Sequence, residues 1–565
     1  MGKNKVRIKL TIKLEYIIFF LLITIGLNKN NAYAQITERE RPDEWKNLIY
    51  GGRFMDRFLP IQPIGMLTEG VWGADNVVPR YIDNGIEDNI WSYWGGNIIK
   101  GNDDKYHLFV CRWLEDSEKG HMQWPKSIVV HTVSDTPFGP FKVKETVGPG
   151  HNPEIFQLKD GRYVVYVIDG RYISNNINGP WEYSKFKFNK RDRPIIEGLT
   201  NLSFAKREDS SYIMVCRGGG IWFSKDGLSP YNQITYKRVY PAVEGHFEDP
   251  LIWKTNIQYH MIVNDWLGRI AYYLRSKDGV HWKVDTGEAY LPGITKYTDG
   301  TNEDWFKYER IKVLQDKLGR ATQANFAVID TIKWNDLKND RHSSKNITIP
   351  LTVGRQIEVL NKSKIDKKTK TIKLLIKAES GFNPHTDIDF NSLRFGASEE
   401  VNFGKGSTLL KTKKKGKDLI LVFNGSDNGI SENNFVGKLI GKKDKGKLLF
   451  GYAQLPKVNY KEPILSARMP KIIPKENGNE LAIEVQNFGQ VNSKKTKISI
   501  QYFQKNIEIE TITKKLPKLK PFQKYTIVLD LNKKIMKGEN YRFKISIHHP
   551  KMKPDVFEKE MILFE

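Results

Sequence analysis

The sequence predicts an all-β chain: an N-terminal β-propeller of about five blades followed by two β-sandwich domains. Three observations carry this. Short runs rich in Tyr, Val, Ile and Phe recur every 40 to 50 residues before residue 350, the spacing of propeller blades. Gly, Asn, Asp and Pro separate these runs, with Asp226-Gly227 and Asp278-Gly279 as hairpin signals. Past Ile349 apolar and polar residues alternate between lysine-rich turns, as in a sandwich with one buried face per sheet. Four segments follow: a signal peptide over 1–34, the propeller over 35–349, a sandwich over 350–460 and an immunoglobulin-like sandwich over 461–565.

Composition excludes several classes. The chain has 565 residues, 39% hydrophobic and 12% aromatic, too rich in apolar side chains for a disordered or collagen-like protein. Its two cysteines make neither a disulfide framework nor a four-thiolate zinc site. They occupy equivalent places in the first and third blades as Cys111 and Cys216, and free thiols are expected.

The first segment reads as an export signal. Lys3, Lys5, Arg7, Lys9 and Lys13 precede an apolar run from Tyr16 to Leu27, and Ala32-Tyr33-Ala34 has the small-x-small pattern of a cleavage site. The run is shorter than the roughly 20 residues that span a bilayer. A secreted or periplasmic protein without a membrane anchor after cleavage is expected, and nucleic acid is an improbable partner for it. The net charge of +25 then points to an acidic polysaccharide. That charge is uneven: residues 351–565 hold 42 Lys and Arg against 23 Asp and Glu, while residues 35–350 hold 42 against 41. A monomer is expected.

The repeat units align on three runs. First strands begin at Trp94-Gly-Gly-Asn97, His151-Asn-Pro-Glu154, Asn201-Leu-Ser-Phe204, Phe247-Glu-Asp-Pro250 and Tyr308-Glu-Arg310. Second runs start at Tyr106, Tyr163, Tyr212 and Tyr259, and third runs end in turns from Ser134, Ser174, Ser224 and Ser276. The segment Arg53 to Pro63 is expected to close the ring. In the sandwiches, strands are expected at Thr371–Ile376, Leu419–Phe423, Leu481–Val485, Ile498–Tyr502, Tyr525–Leu529 and Tyr541–Ile547.

Innermost strands surround a central channel, so the starts of first strands and the ends of second strands converge on one funnel. This selects Asn97, His151, Asn152, Glu154, Asn201, Glu248, Asp249, Glu309 and Arg310, with Arg112, Asp169, Arg217 and Asp265; His131, on the third strand of the first blade, is a further candidate for the same rim. Two chemistries compete for this set. A glycoside hydrolase needs a general acid and a second carboxylate, which Glu154, Asp249 and Glu309 could supply. A polysaccharide lyase needs a cation to neutralise a uronate carboxylate, for which arginine is suited, and a histidine or tyrosine for the proton steps. A glycan-binding protein without catalysis is the third reading.

The motifs Glu248-Asp-Pro-Leu-Ile-Trp253, Ser276-Lys-Asp-Gly-Val-His-Trp282 and Glu309-Arg310 resemble those of five-bladed family 43-type glycosidases. That family carries an acidic base on its first blade, where this chain has Trp94-Gly-Gly-Asn97. The chain over roughly 90 to 330 also resembles the secreted β-propeller ulvan lyases, through His131 and His151 at matching spacing and the setting Gly150-His-Asn-Pro-Glu154. That resemblance implies His131 or His151 as base, Tyr172 as acid and Arg217 as the neutralising cation. Arg112, Asn152, Glu154, Asp249 and Glu309 then contact substrate, a sulfated, uronate-containing polysaccharide such as ulvan. It further implies a structural zinc held by His246, Glu248 and His260, with Glu248 where the family has a cysteine. Each of these residues also has a structural reading: His131 packed within a strand, Arg112 as the repeat equivalent of Arg217, Glu248-Asp249 and Glu309-Arg310 as internal ion pairs, and His260 as the repeat equivalent of the packed His107.

Overall fold

The computed structural model describes residues 36–476, 478–533, 535–536, 538–548 and 555–562. The expected signal peptide lies outside them. Strands dominate, with short 3-10 turns and a single four-residue α-helix, Ser398–Val401, among the described residues. No described helix is long and apolar enough to cross a membrane.

The repeat units fold into sheets as the pattern predicts. The first is Trp91–Lys100, Tyr106–Leu114, Ile128–Ser134 and Lys142–Pro149, and the second is Glu154–Gln157, Tyr163–Val167, Gly170–Ser174 and Glu182–Lys185. The third contains Ser203–Lys206, Tyr212–Val215, Ile221–Ser224 and Tyr231–Gln233, with Phe188–Asn189 added on its outer edge. The fourth is Phe247–Lys254, Tyr259–Asp265, Ile270–Ser276 and Lys283–Tyr290; the fifth is Lys307–Gln315, Ala321–Ile329 and Ser344–Pro350. First strands of successive sheets are neighbours, and that of the fifth returns to that of the first.

Adjacent sheets are held by shared apolar cores. Tyr166 and Phe204 stack between the second and third sheets, at 3.8 Å between ring centres. Ile252 and Met261 of the fourth sheet join Ile213 and Phe223 of the third. Ala327 and Ile329 of the fifth sheet enter the core between the first and second. Such interdigitation has a steep volume penalty for change. The N-terminal segment meets the end of the fifth sheet's last strand: Phe58 bridges Leu351, and Leu59 N–H donates to Pro350 O at 2.9 Å.

Beyond Leu351 the two units differ from each other. In the first, a seven-stranded sheet runs in the order Ile357–Val359, Thr371–Ile376, Asp418–Asn424, Ser407–Lys415, Ile388–Gly396, Val436–Lys443, Lys447–Gln454. Its end strands approach each other, and Arg355 N–H donates to Phe450 O at 2.7 Å. The expected two-sheet sandwich is thus one sheet wrapped about Leu374, Leu421, Phe423, Phe395 and Leu439. Period-two alternation specifies one buried face and not whether two sheets or one curled sheet supply it, which is why the sequence could not separate them. The last unit pairs two four-stranded sheets over Leu481, Ile483, Ile500, Tyr502, Phe543 and Ile545. It docks on the third sheet through Arg191, whose guanidinium donates to Glu484 at 2.9 Å and to Ser466 O at 2.7 Å.

Candidate functional site

At or just before each first strand one equivalent position lies in the left-handed region: Gly95 (φ +63°), Asn152 (+54°), Asn201 (+50°), Asp249 (+53°) and Arg310 (+53°), with Gly96 (+88°) beside Gly95 in the first sheet. Gly, Asn and Asp accept this conformation readily; for Arg310 it is a strained position that its surroundings must hold. In the first, fourth and fifth sheets the strand register shifts here, between Trp94 and Asn97, Glu248 and Leu251, and Glu309 and Lys312. Such bulges re-aim side chains. The re-aimed side chains join across the channel. Asn152 Nδ2 donates to Asn201 Oδ1 at 3.1 Å, Asn201 Nδ2 to Asp249 Oδ1 at 2.9 Å, and Arg310 Nη1 to the same oxygen at 2.9 Å. Gly95 leaves the gap in this ring, for a Cβ there would meet Asn152 Oδ1 at 3.3 Å and Arg310 Nε at 3.7 Å.

Two residues further along, a second layer caps the neighbouring strand. Asn97 Oδ1 accepts from Ile155 N–H at 2.7 Å, Glu154 Oε1 from Phe204 N–H at 3.0 Å, and Ser203 Oγ from Ile252 N–H at 3.2 Å. Lys312 pairs with Glu154, and burial, against the pull of Glu154, brings its ammonium down to about 8. Asn97 and Glu154 therefore face the far mouth of the channel, an 850 Å³ cavity with Lys206, Lys254 and Gln315 on its wall.

One residue before the left-handed position, the chain presents Trp94, His151, Thr200, Glu248 and Glu309 at the near mouth. Carboxylate oxygens of Glu248, Asp249 and Glu309 lie within 4.8 Å of one another. Cations surround them: Arg217 Nη2 stands 3.5 Å from Glu248 Oε2, Lys307 Nζ 3.2 Å from Glu309 Oε1, and Lys333 pairs with Glu309 while lying 3.9 Å from Glu248. The Lys333 ammonium also sits over Trp94 (5.1 Å) and Trp266 (5.8 Å), where ring quadrupoles favour it.

This arrangement separates the two glutamates. Burial, and then the charge of Asp249, push the Glu248 carboxyl up to about 7. Burial also acts to raise Glu309, but Lys333 and Lys307 outweigh it and hold that carboxyl below its ordinary range. One glutamate thus keeps its proton near neutrality while its neighbour is ionised, the condition that distinguishes an acid from a second carboxylate. The Glu248 side chain is 11% exposed and Arg217 39%, whereas Glu309 is 2% exposed behind Lys333.

His151 lies at the same mouth, its Nδ1 2.9 Å from Ser127 Oγ and its ring against Trp124 at 4.7 Å. Ser127 Oγ donates to Gly150 O at 3.0 Å, so the hydroxyl accepts from His151 Nδ1–H. Burial, then Arg310, His121 and Lys333, keep the imidazole neutral by holding its pKa well below the ordinary value. His121, buried between Trp94 and Trp113, is neutral for the same first reason.

Other expected residues are placed elsewhere. His131 is fully buried within the first sheet, stacked on Phe109 at 4.5 Å and bonded to His107 Nδ1 at 2.7 Å and Glu145 Oε1 at 2.9 Å. Its partners are not those of His151, and burial brings its pKa down to about 4; the expected histidine pair does not form a site because the two rings face different surroundings. Tyr172 Oη donates to Pro149 O at 2.6 Å, and Arg112 stacks 4.0 Å over Trp91. The expected zinc set is also dispersed. Glu248 pairs across the sheet with Asn264 and His260 with Trp253, at opposite ends of the same strand pair, about 13 Å apart at the rise of a strand. His260 bonds to Tyr273 Oη at 2.6 Å and stacks on Trp253, while His246 is exposed. These residues do not fit a common ion.

Lys333, Lys307 and Trp266 were not among the expected site residues. Lys333 lies in the connection 330–343; only the first sheet has a comparably long one at the same place, 115–127, and neither carries a strand period that would place its side chains. Lys307 stands directly before Tyr308-Glu309, and its adjacency was the one available signal.

No family model and no curated protein matches this sequence. Among solved structures, a glycoside hydrolase is 12% identical over 85% of this chain and 99% of its own, at a TM-score of 0.35. A thermostable family-43 glycoside hydrolase is 13% identical over 47% of this chain and 93% of its own, at 0.32. A family 43 protein from Bacillus licheniformis is 11% identical over 83% and 77%, at 0.26. At scores this low the likeness decides neither fold nor chemistry.

Proposed function

We propose that this protein is an exported glycoside hydrolase on a five-bladed propeller, carrying two β-domains and acting on an acidic polysaccharide. The observation that supports it is the pair of glutamates on neighbouring first strands whose surroundings push their protonation apart. Glu248 holds a proton near neutral pH and gives it to the glycosidic oxygen. Glu309, ionised, takes the anomeric carbon as the bond to the leaving sugar breaks. Water then attacks that carbon, returns a proton to Glu248 and frees Glu309. One carboxylate oxygen of each lies within 4.8 Å of the other, close enough for both groups to reach the same glycosidic bond. Substrate must displace Lys333 from between Trp94 and Trp266, and a uronate or sulfate beside Arg217 and Lys333 provides the compensating charge.

The test is incubation of the purified protein with acidic polysaccharides while reducing ends and the absorbance of an unsaturated uronate are both followed. New reducing ends without the chromophore, lost in Glu248→Gln, support the hydrolase. A second reading, a lyase, is favoured by one observation: neutral His151, with Nδ1–H committed to Ser127, leaves Nε2 as a free base at the same mouth. Chromophore that vanishes in His151→Ala and survives Glu248→Gln would replace the hydrolase by that reading.

A further inference from the structure

A separate cavity of about 260 Å³ opens where the fifth sheet passes into the seven-stranded unit. It lies at the far end of the strand that carries Glu248, for Trp253 on its wall is about 16 Å along that strand at the usual rise. Arg57 lines it. The guanidinium is clamped between Phe54 (4.4 Å) and Phe450 (4.2 Å), and the residue is 7% exposed. Its one hydrogen bond among the described residues runs from Nη2 to Tyr452 Oη at 3.1 Å, and no carboxylate pairs with it. Nearby acids are committed: Asp285 to Arg275 at 3.1 and 3.2 Å, and Asp56 to the N–H groups of Gly51 and Arg53.

Arg355, half-buried, lines the same cavity. It stacks 4.1 Å over Phe382 without an ion pair, since Glu379 accepts from Arg320 at 2.7 Å and from Gln356 N–H at 3.0 Å. The wall also carries exposed Lys377 and exposed Glu358, which offset each other, and Arg320, which is already paired with Asp316 and Glu379. A buried guanidinium without a counter-charge is costly unless something fills the place. The excess of positive charge is felt next door, where burial and then Arg57 and Arg275, opposed by Asp285, lower buried Lys438 to about 7. Planar, stacked arginines are the groups that hold a carboxylate or sulfate through paired N–H donors.

We propose that this cavity is a second glycan site, in which Arg57 and Arg355 take the carboxylate or sulfate of one acidic sugar residue while Trp253 and Phe450 border its ring. The anionic half of this assignment stands on the arginines alone; the sugar half rests on the glycan reading above. Its volume is just under the roughly 300–1,000 Å³ of sites for larger ligands, room for a short chain end and not for a polymer threading through.

The test is calorimetric titration of the whole protein with digalacturonic acid, neutral galactobiose and sodium sulfate. Digalacturonic acid is expected to bind, galactobiose not, and Arg355→Gln to weaken the acid at least ten-fold, as expected for loss of a charge-assisted pair. Arg57→Met, accepted only if its circular dichroism and unfolding match the parent, should do the same. Hydrolysis of a soluble substrate should be unchanged in Arg355→Gln, so that failure here is distinguishable from failure of the funnel reading. Sulfate binding as tightly as digalacturonic acid would overturn the sugar assignment. Binding that ignores Arg355→Gln but disappears in Arg217→Gln would move the ligand to the funnel, and no binding of either anion would refute the site.

Discussion

Replacing Glu248 by Gln tests the electrostatics on which the functional reading depends, and its effect on stability has a definite sign. A carboxyl that ordinarily titrates near 4.5 and here titrates near 7 is destabilising once ionised, by about 3 kcal/mol. Below the unfolded value, both states hold the proton and the wild-type protein has the benefit in full. As pH rises from about 4.5 through 7, the unfolded chain releases its proton first and the folded state loses that stability. Gln cannot ionise. Glu248→Gln should therefore match the parent at pH 4.5 and exceed it at pH 8 by about 3 kcal/mol, or roughly 6 °C of midpoint at ~2 °C per kcal/mol for a unit of this size. Differential scanning fluorimetry across that range reads the difference directly. The same variant should lack glycan hydrolysis at every pH, while the parent loses activity as pH rises through about 7. A stability difference that is equal at pH 4.5 and pH 8 would show that Glu248 is an ordinary carboxylate and remove the argument for it as acid.

Three further outcomes follow from the geometry. Lys333→Met removes the stronger of the two cations that hold Glu309 down, so the acid limb of the activity profile should move to higher pH, which a kcat series against pH will show. At Asn201 (φ +50°), Ala should cost about 1–2 kcal/mol more than Gly, because both lose the bonds to Asn152 and Asp249 but only Gly restores the left-handed conformation; chemical denaturation compares them. Gly96→Ala places a Cβ 2.0 Å from Phe109 O at φ +88°, so the variant should lose several kcal/mol and fail to accumulate as folded protein, measured by soluble yield and circular dichroism.

Much of the fold was legible because repeats show themselves within one sequence. Second strands start at Tyr106, Tyr163, Tyr212 and Tyr259 as expected, since the alternating pattern and the Asp-Gly turns are local. The curl of the seven-stranded sheet was not legible, because it depends on Arg355 meeting Phe450 some ninety-five positions later. The site divides in the same way. Glu248, Asp249, Glu309, Asn152 and Arg217 follow from their place in the repeat, and they do assemble. His131 and His151 were paired by spacing alone, and spacing says nothing of which sheet face a ring occupies; His131 points into the packing beside Phe109. Lys333 belongs to a long connection without strand period, so only tertiary structure could bring it to Glu309.

Where the repeat is kept, it builds; where it is broken, it offers chemistry. The left-handed position is filled by five residues that bond to one another or make room, Gly95, Asn152, Asn201, Asp249 and Arg310, and at the Gly95 gap this ring leaves buried Asn152 Oδ1 and Arg310 Nε and Nη2 without a partner. The position just before it is occupied by Trp94, His151, Thr200, Glu248 and Glu309, which share no common structural task. Two consequences result. The only adjacent carboxylates in that set stand on the fourth and fifth sheets, and their mutual repulsion is met by Arg217, from the end of a second strand, and by Lys333, from a connection between strands. And because Lys333 reaches them over Trp94 and Trp266, the cation that sets their protonation is also the group that occupies the mouth. On the glycan reading proposed above, entry of a substrate and the titration of Glu309 are coupled through one side chain: an anionic sugar that drew Lys333 away from Glu309 would leave that carboxylate less stabilised as an ion and more basic.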